Sequence, residues 1–112
     1  VPYLLGRLFS VLEAVQKAAN PGINTTIKDR YFNAACATPG MAFPTLLRLS
    51  QKHLRKLNDG LATYYDKQIT ELMAQLPESG FPARLSLPDQ GKFAIGYYHQ
   101  TQKRFAKKNE EE

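Results

Sequence analysis

Seven side chains are the natural first suspects for chemistry: His53, His99, Cys36, Asp29, Asp59, Asp66 and Glu71. Enzymatic catalysis would need them to combine as a nucleophile, an oriented base and a charge-stabilising group. They do not assemble that way along the chain. His53 falls on the flank between the apolar and polar sides of one helical stretch and His99 on another, and no helix carries two histidines at zinc-binding spacing, so structural or phosphate-contacting roles are expected for both. Each carboxylate is accounted for by a helix start, a turn or a solvated face, and none joins an acidic cluster able to hold magnesium. Cys36 is the only cysteine, which excludes an internal disulfide framework and a cysteine metal cage; it suits a small apolar position. The glycines form no phosphate-cradling loop. The expectation is a protein that is not an enzyme, with no catalytic residue, no metal ligand and no cofactor.

Cations are the stronger signal. Fifteen Lys and Arg against ten Asp and Glu give +5, and the last three acids are Glu110, Glu111 and Glu112, so the body is more basic than the total. Arg48, Lys52, Arg55 and Lys56 fall within about 100° of one another on a helical wheel, opposite Leu46, Leu47, Ser50, Leu54 and Leu57. Such a row can follow a phosphate backbone without reading bases; it can equally be a solvated helix face. Lys28 and Arg30 flank it, and Lys103 and Lys107 lie with Lys92, Gly96 and His99 along one side of the last helix. These eight cations, Lys28, Arg30, Arg48, Lys52, Arg55, Lys56, Lys103 and Lys107, are the candidate nucleic-acid contacts.

The elements that would position them are helices. Leu4, Leu8, Val11, Leu12, Val15, Ala18 and Ala19 recur at helical spacing, with Arg7, Glu13 and Lys17 elsewhere on the wheel, and "NPGIN" ends the pattern after Ala19. Thr26 with Asp29 marks the start of a second helix, on which Ile27, Tyr31, Ala34 and Ala35 form the apolar stripe. Thr38 and Pro39 open a third as cap and first position, and Pro44 predicts a break or kink near Phe43. "NDG" turns into a fourth carrying Leu61, Tyr65, Ile69, Leu72 and Leu76, with Asp66, Lys67 and Glu71 outside. A long connection through Gly80 and Pro82 leads to Ser86 and Asp89, a capping pair for a fifth helix, whose core face is expected to hold Gly91, Ala94, Ile95, Tyr98 and Phe105.

No stretch alternates at the strand period and no run is long and apolar enough for a membrane span. The fold class expected is all-α, a compact bundle of about five amphipathic helices, with one domain at 1–108 and a flexible acidic tail at 109–112. Leu8, Leu54, Ile69, Leu72 and Tyr98 are expected in its core. With one cysteine and no span, a cytoplasmic location is the simplest reading.

The strings "NPGINTTIKDRYFNAACATPGMAFPTLLRLSQKHL" and "DQGKFAIGYYHQ" resemble the C-terminal region of the large subunit of the type I-C CRISPR surveillance complex, Cascade, over the chain to about residue 105. In that family the same frame also yields this region separately, by internal translation start, as the small subunit. A chain opening on a helix pattern at Val1 fits that small subunit better than the entire large one. The resemblance implies a non-catalytic bundle, in two copies side by side, packed on the Cascade backbone subunits along the guide-RNA complex beside the large subunit. There it would hold the target and non-target DNA strands opened by guide pairing. Lys28, Arg30, Arg48 and His53 lie within the matching strings, whereas Lys52, Arg55 and Lys56 rest mainly on the helical wheel. A protein-binding scaffold that never touches nucleic acid is the alternative.

Overall fold

The computed structural model describes the backbone of residues 1–111 and the side chains of residues 1–105. Five helices appear in chain order: α1 (Pro2–Ala19), α2 (Ile27–Ala37), α3 (Pro39–Arg55), α4 (Asp59–Ala74) and α5 (Leu87–Glu111). There is no strand among the described residues, as the sequence pattern requires. The acidic tail expected at 109–112 lies outside the described side chains.

α1 is the central helix, packing against each of the other four and most extensively against α5. Leu5, Leu8, Phe9, Val11, Leu12, Ala14 and Val15 are all buried, so apolar side chains leave it in nearly every direction. This corrects the one-sided stripe. Glu13, assigned outside that stripe, is only 2% exposed. A buried carboxylate must be hydrogen-bonded. Glu13 accepts from Tyr97 Oη and from Thr26 Oγ1 at 2.7 Å, and so joins α1 to both α5 and the start of α2.

The turns follow their residues. Gly22 and Gly80 take positive φ in the two loops where the sequence places them. Thr26 and Asp29 form a capping box at α2, and Gln16 of α1 adds an acceptor for the Ile27 amide at 2.7 Å. Asn58 caps α4 through the Leu61 amide, and Ser86 accepts from the Asp89 amide at the head of α5. Thr38 stands at the start of α3, but its hydroxyl donates backwards to the Ala34 carbonyl of α2 and provides no side-chain cap. Of the break or kink expected near Phe43, the break is absent: α3 continues through Pro44. Pro44 is the sixth residue of α3, and its missing N–H removes the bond to the Gly40 carbonyl. The long α4–α5 connection is tied back by Gly40 N to the Pro82 carbonyl and Leu85 N to the Ala37 carbonyl, with Phe81 stacked on Phe43.

α5 presents a different face from the one its periodicity predicts. Phe93, Gly96 and Tyr97 are buried, while Ile95, Tyr98 and Phe105 are each about half exposed and Gly91 is exposed. Tyr98 therefore does not belong to the core; its neighbour Tyr97 does. Gly6 and Gly96 explain the register. A Cβ on Gly6 would collide with the Phe93 carbonyl, and one on Gly96 with the Tyr3 carbonyl, so the two backbones touch where neither helix has a side chain. Polar pairs then run along the seam: Tyr3 with His99, Arg7 with Gln100, and Ser10 with Thr101 at 2.7 Å. An aromatic cluster of Phe9, Phe32, Phe93 and Tyr97, in edge-to-face and tilted contacts, fills the space towards α2.

Candidate nucleic-acid interface

α3 is held by one face only. Ala42, Phe43, Leu46, Ser50 and Leu54 are buried, and the Ser50 hydroxyl satisfies itself on the Leu47 carbonyl. Arg48, Lys52, Arg55 and Lys56 consequently stand on the opposite side, all four exposed. None of them joins an ion pair among the described residues; the one such pair there is Lys92 with Asp89 on α5. Lys56 donates to Asn20 Oδ1 and Arg48 to Thr45 Oγ1, contacts that leave both charges uncompensated. The lower three cations also sit at the C-terminal end of α3 and just past it, where the helix dipole favours positive charge. Arg48 lies beyond the reach of that effect.

His53 is not a fifth cation of this face. Burial, and then the charge of Lys56, push its pKa below the usual histidine value, so at neutral pH it is an uncharged ring beside Asn20 Nδ2. His99 is fixed by the Tyr3 hydroxyl at 2.8 Å. Burial raises the Cys36 thiol, which points to the Gln90 carbonyl and behaves as a core group. No group of three or more His, Cys, Asp and Glu able to hold a metal occurs among the described residues. No helix there is long and apolar enough to cross a membrane.

The remaining candidates do not join the α3 row. Lys28 is partly buried, its Nζ 5.3 Å from the ring centroids of both Tyr97 and Tyr98. Its charge is engaged with aromatic faces. Arg30 is exposed over Tyr31 on α2. Tyr31 itself is half-buried against the core, in keeping with a structural role. Lys103 is exposed on α5, and Lys107 lies outside the described side chains.

The surroundings of Lys103 hold what the sequence reading passed over. α4 and α5 both pack on α1 but, among the described residues, do not pack on each other, so a groove opens between them. Arg7, Lys17 and Arg104 border it together with Lys103, and Glu71 is the one carboxylate there among the described residues. Arg7 and Lys17 are ten residues apart on the same side of α1, a spacing visible in the sequence once α1 is understood as a helix buried on its other sides. Arg104 donates to the Ser10 carbonyl at 3.2 Å, which locks one end of its guanidinium to the seam.

The model of the family described as CRISPR-associated protein (Cas_Csd1) matches residues 1–105. No curated protein matches the chain.

Proposed function

Because the chain belongs to the CRISPR-associated Cas_Csd1 family, we propose that it is a non-catalytic subunit of a Cas effector complex, the small subunit of type I-C Cascade. It works in the cytoplasm, packs on the backbone subunits beside the large subunit and the guide RNA, and steadies target DNA once guide pairing has opened it. Two copies lie side by side. The observation that carries the reading is the row of Arg48, Lys52, Arg55 and Lys56, four exposed cations without an acidic partner among the described residues, on a helix fully anchored by its other face. Phosphates repeat along any strand, so such a row positions DNA and leaves base reading to the guide.

If the four cations neutralise about four phosphates of single-stranded DNA, log affinity falls against log salt with a slope of about −2.8, and a fourfold rise in salt weakens their contribution roughly fifty-fold. The test is to rebuild the complex with all four changed to Gln, verify its subunit composition, and follow target retention across salt concentrations. Weaker retention with a flatter salt dependence is expected, with guide loading unchanged. Unchanged retention and slope would favour a second reading, a scaffold that meets protein alone. That reading draws on the exposed apolar side chains Leu87, Ile95, Tyr98 and Phe105 of α5.

A further inference from the structure

We infer that the groove between α4 and α5 is a second binding site for single-stranded nucleic acid, separate from the α3 face, in which bases stack while phosphates meet cations. The inference rests on the reading of this chain as a subunit that handles opened DNA, and it adds a place and a chemistry to it.

The groove exists because α1 keeps its two neighbours apart. Its floor is apolar, formed by Val11 and Ala14 of α1 with Leu72 of α4, all buried. Among the described residues its rim carries four cations against the single carboxylate of Glu71. Such an excess concentrates anions, and it is largest where low-dielectric walls focus the field. Arg7 and Lys17 are separated along α1 by ten residues, about 15 Å of helix, which matches about four phosphates of a stacked strand. Arg7 is oriented by its Nε bond to Gln100 at 3.0 Å, and Arg104 by its bond to the Ser10 carbonyl. Neither bond uses the whole guanidinium, so both cations are aimed before a ligand arrives.

Charge alone would suit any polyanion. The aromatic rings distinguish nucleic acid. Tyr64 is 42% exposed and Phe105 53%, one on each wall of the groove, and Tyr64 is braced edge-to-face by Tyr65. Arg104 lies over the Phe105 ring, its guanidinium carbon 5.6 Å from the centroid. Cations that track a backbone, interleaved with rings on which bases stack, are the recurrent composition of single-strand sites without base preference. An acidic peptide would use the cations and leave the rings idle.

The groove is present in the isolated chain, so the free protein is the correct sample. Fluorescence anisotropy with labelled oligothymidylate and oligouridylate, over a series of salt concentrations, measures binding and separates DNA from RNA. Lys17→Gln with Lys103→Gln, both exposed positions, should reduce the magnitude of the salt slope by about 1.4. Phe105→Ala should weaken binding about five-fold or more with the slope unchanged, since a stacking contact carries no counterion release. The Arg48, Lys52, Arg55 and Lys56 quadruple Gln variant keeps the groove and should retain the Phe105 sensitivity. Circular dichroism on each variant confirms that helix content is preserved. Absence of oligonucleotide binding by the wild-type chain overturns the inference. So does binding lost in the α3 variant but untouched by the groove substitutions, a result that leaves the proposed function standing. Displacement of the oligonucleotide by polyglutamate, combined with indifference to Phe105→Ala, assigns the groove to an acidic protein and overturns it as well.

Discussion

α4 and α5 lean on the same central helix and are attached to it by different physics. α5 meets α1 backbone to backbone at Gly6 and Gly96, buries Phe93 and Tyr97 completely or nearly so, and adds a ladder of polar pairs. α4 buries only Ile69 and Leu72. Close approach multiplies dispersion contacts and makes each added atom costly, whereas a helix held by two buried side chains and the half-buried Tyr65 and Met73 can sit away from its neighbour. The seam therefore supplies the rigidity, and the loose side supplies the space in which a ligand fits.

The contrast breaks most visibly at the largest buried side chains. Phe93→Ala, in the aromatic cluster of the seam, should cost about 3 to 5 kcal/mol, while Leu72→Ala on the groove floor should cost about 2, because its space is open to water and leaves no sealed cavity. Urea titration of both variants checks the difference. Equal losses would mean that α4 is as firmly integrated as α5.

Glycine substitutions sharpen the comparison within one helix. Gly96→Ala forces a methyl group into the Tyr3 carbonyl and should destabilise by about 3 kcal/mol. Gly91→Ala, five residues earlier with nothing near its missing side chain, should instead stabilise by about 0.5 to 1 kcal/mol. Thermal unfolding of the two variants should shift in opposite directions.

The seam also has a pH signature. Burial first, and the bond to Glu13 second, raise the Tyr97 pKa well above its ordinary value of 10.0. In the unfolded chain the phenol ionises from about pH 10; in the folded chain it stays protonated there. The folded state thus binds the extra proton, so stability is complete below pH 10 and declines as the pH rises beyond it. Tyr97→Phe should cost about 1 to 3 kcal/mol at neutral pH, because Glu13 keeps only Thr26 as a donor, and should remove this residue's share of the alkaline decline. Denaturant midpoints measured across the alkaline range read both effects.

The smallest effect is expected on the outer face of α5. Tyr98→Ser, at a position 50% exposed, should cost no more than about 1 kcal/mol in an equilibrium unfolding measurement, the share of its contact with Lys28. A large loss would mean that the outer face is bonded more tightly than its exposure indicates.

The same helix shows how far sequence reading extends. All five helices were legible, because Pro21 with Gly22, the Thr26 and Asp29 box, Asn58, and Ser86 with Asp89 are local signals that act on their own neighbours. Much of α3 was legible too, since its apolar and basic sides are sharply divided. The face of α5 was not. Periodicity marks the stripe of large apolar residues, and on α5 that stripe of Ile95, Tyr98 and Phe105 points outward. The buried face contains a glycine and hydrogen-bonding side chains, whose suitability for burial depends on partners about ninety residues away. Glu13 is the counterpart on α1: a lone carboxylate looks solvated until Tyr97 and Thr26 are seen beside it. The α3 row needed only its own helix to be found, whereas the α4–α5 groove is a product of tertiary spacing.

Pairing α1 with α5 also sets the order of events during synthesis. Ser10 and Thr101 are 91 positions apart. At a ribosomal rate of about 5 to 20 residues per second, α1 waits on the order of 5 to 20 s for its main partner. Throughout that interval, of the helices that pack on α1 here, only α2, α3 and α4 have been made, and the face that Gly6 keeps bare lacks the α5 backbone that it meets. Closing so long a loop is also slow in itself, since the entropy of joining distant segments must be paid before their contacts form. The α5-facing side of α1 is thus exposed to aggregation until α5 emerges.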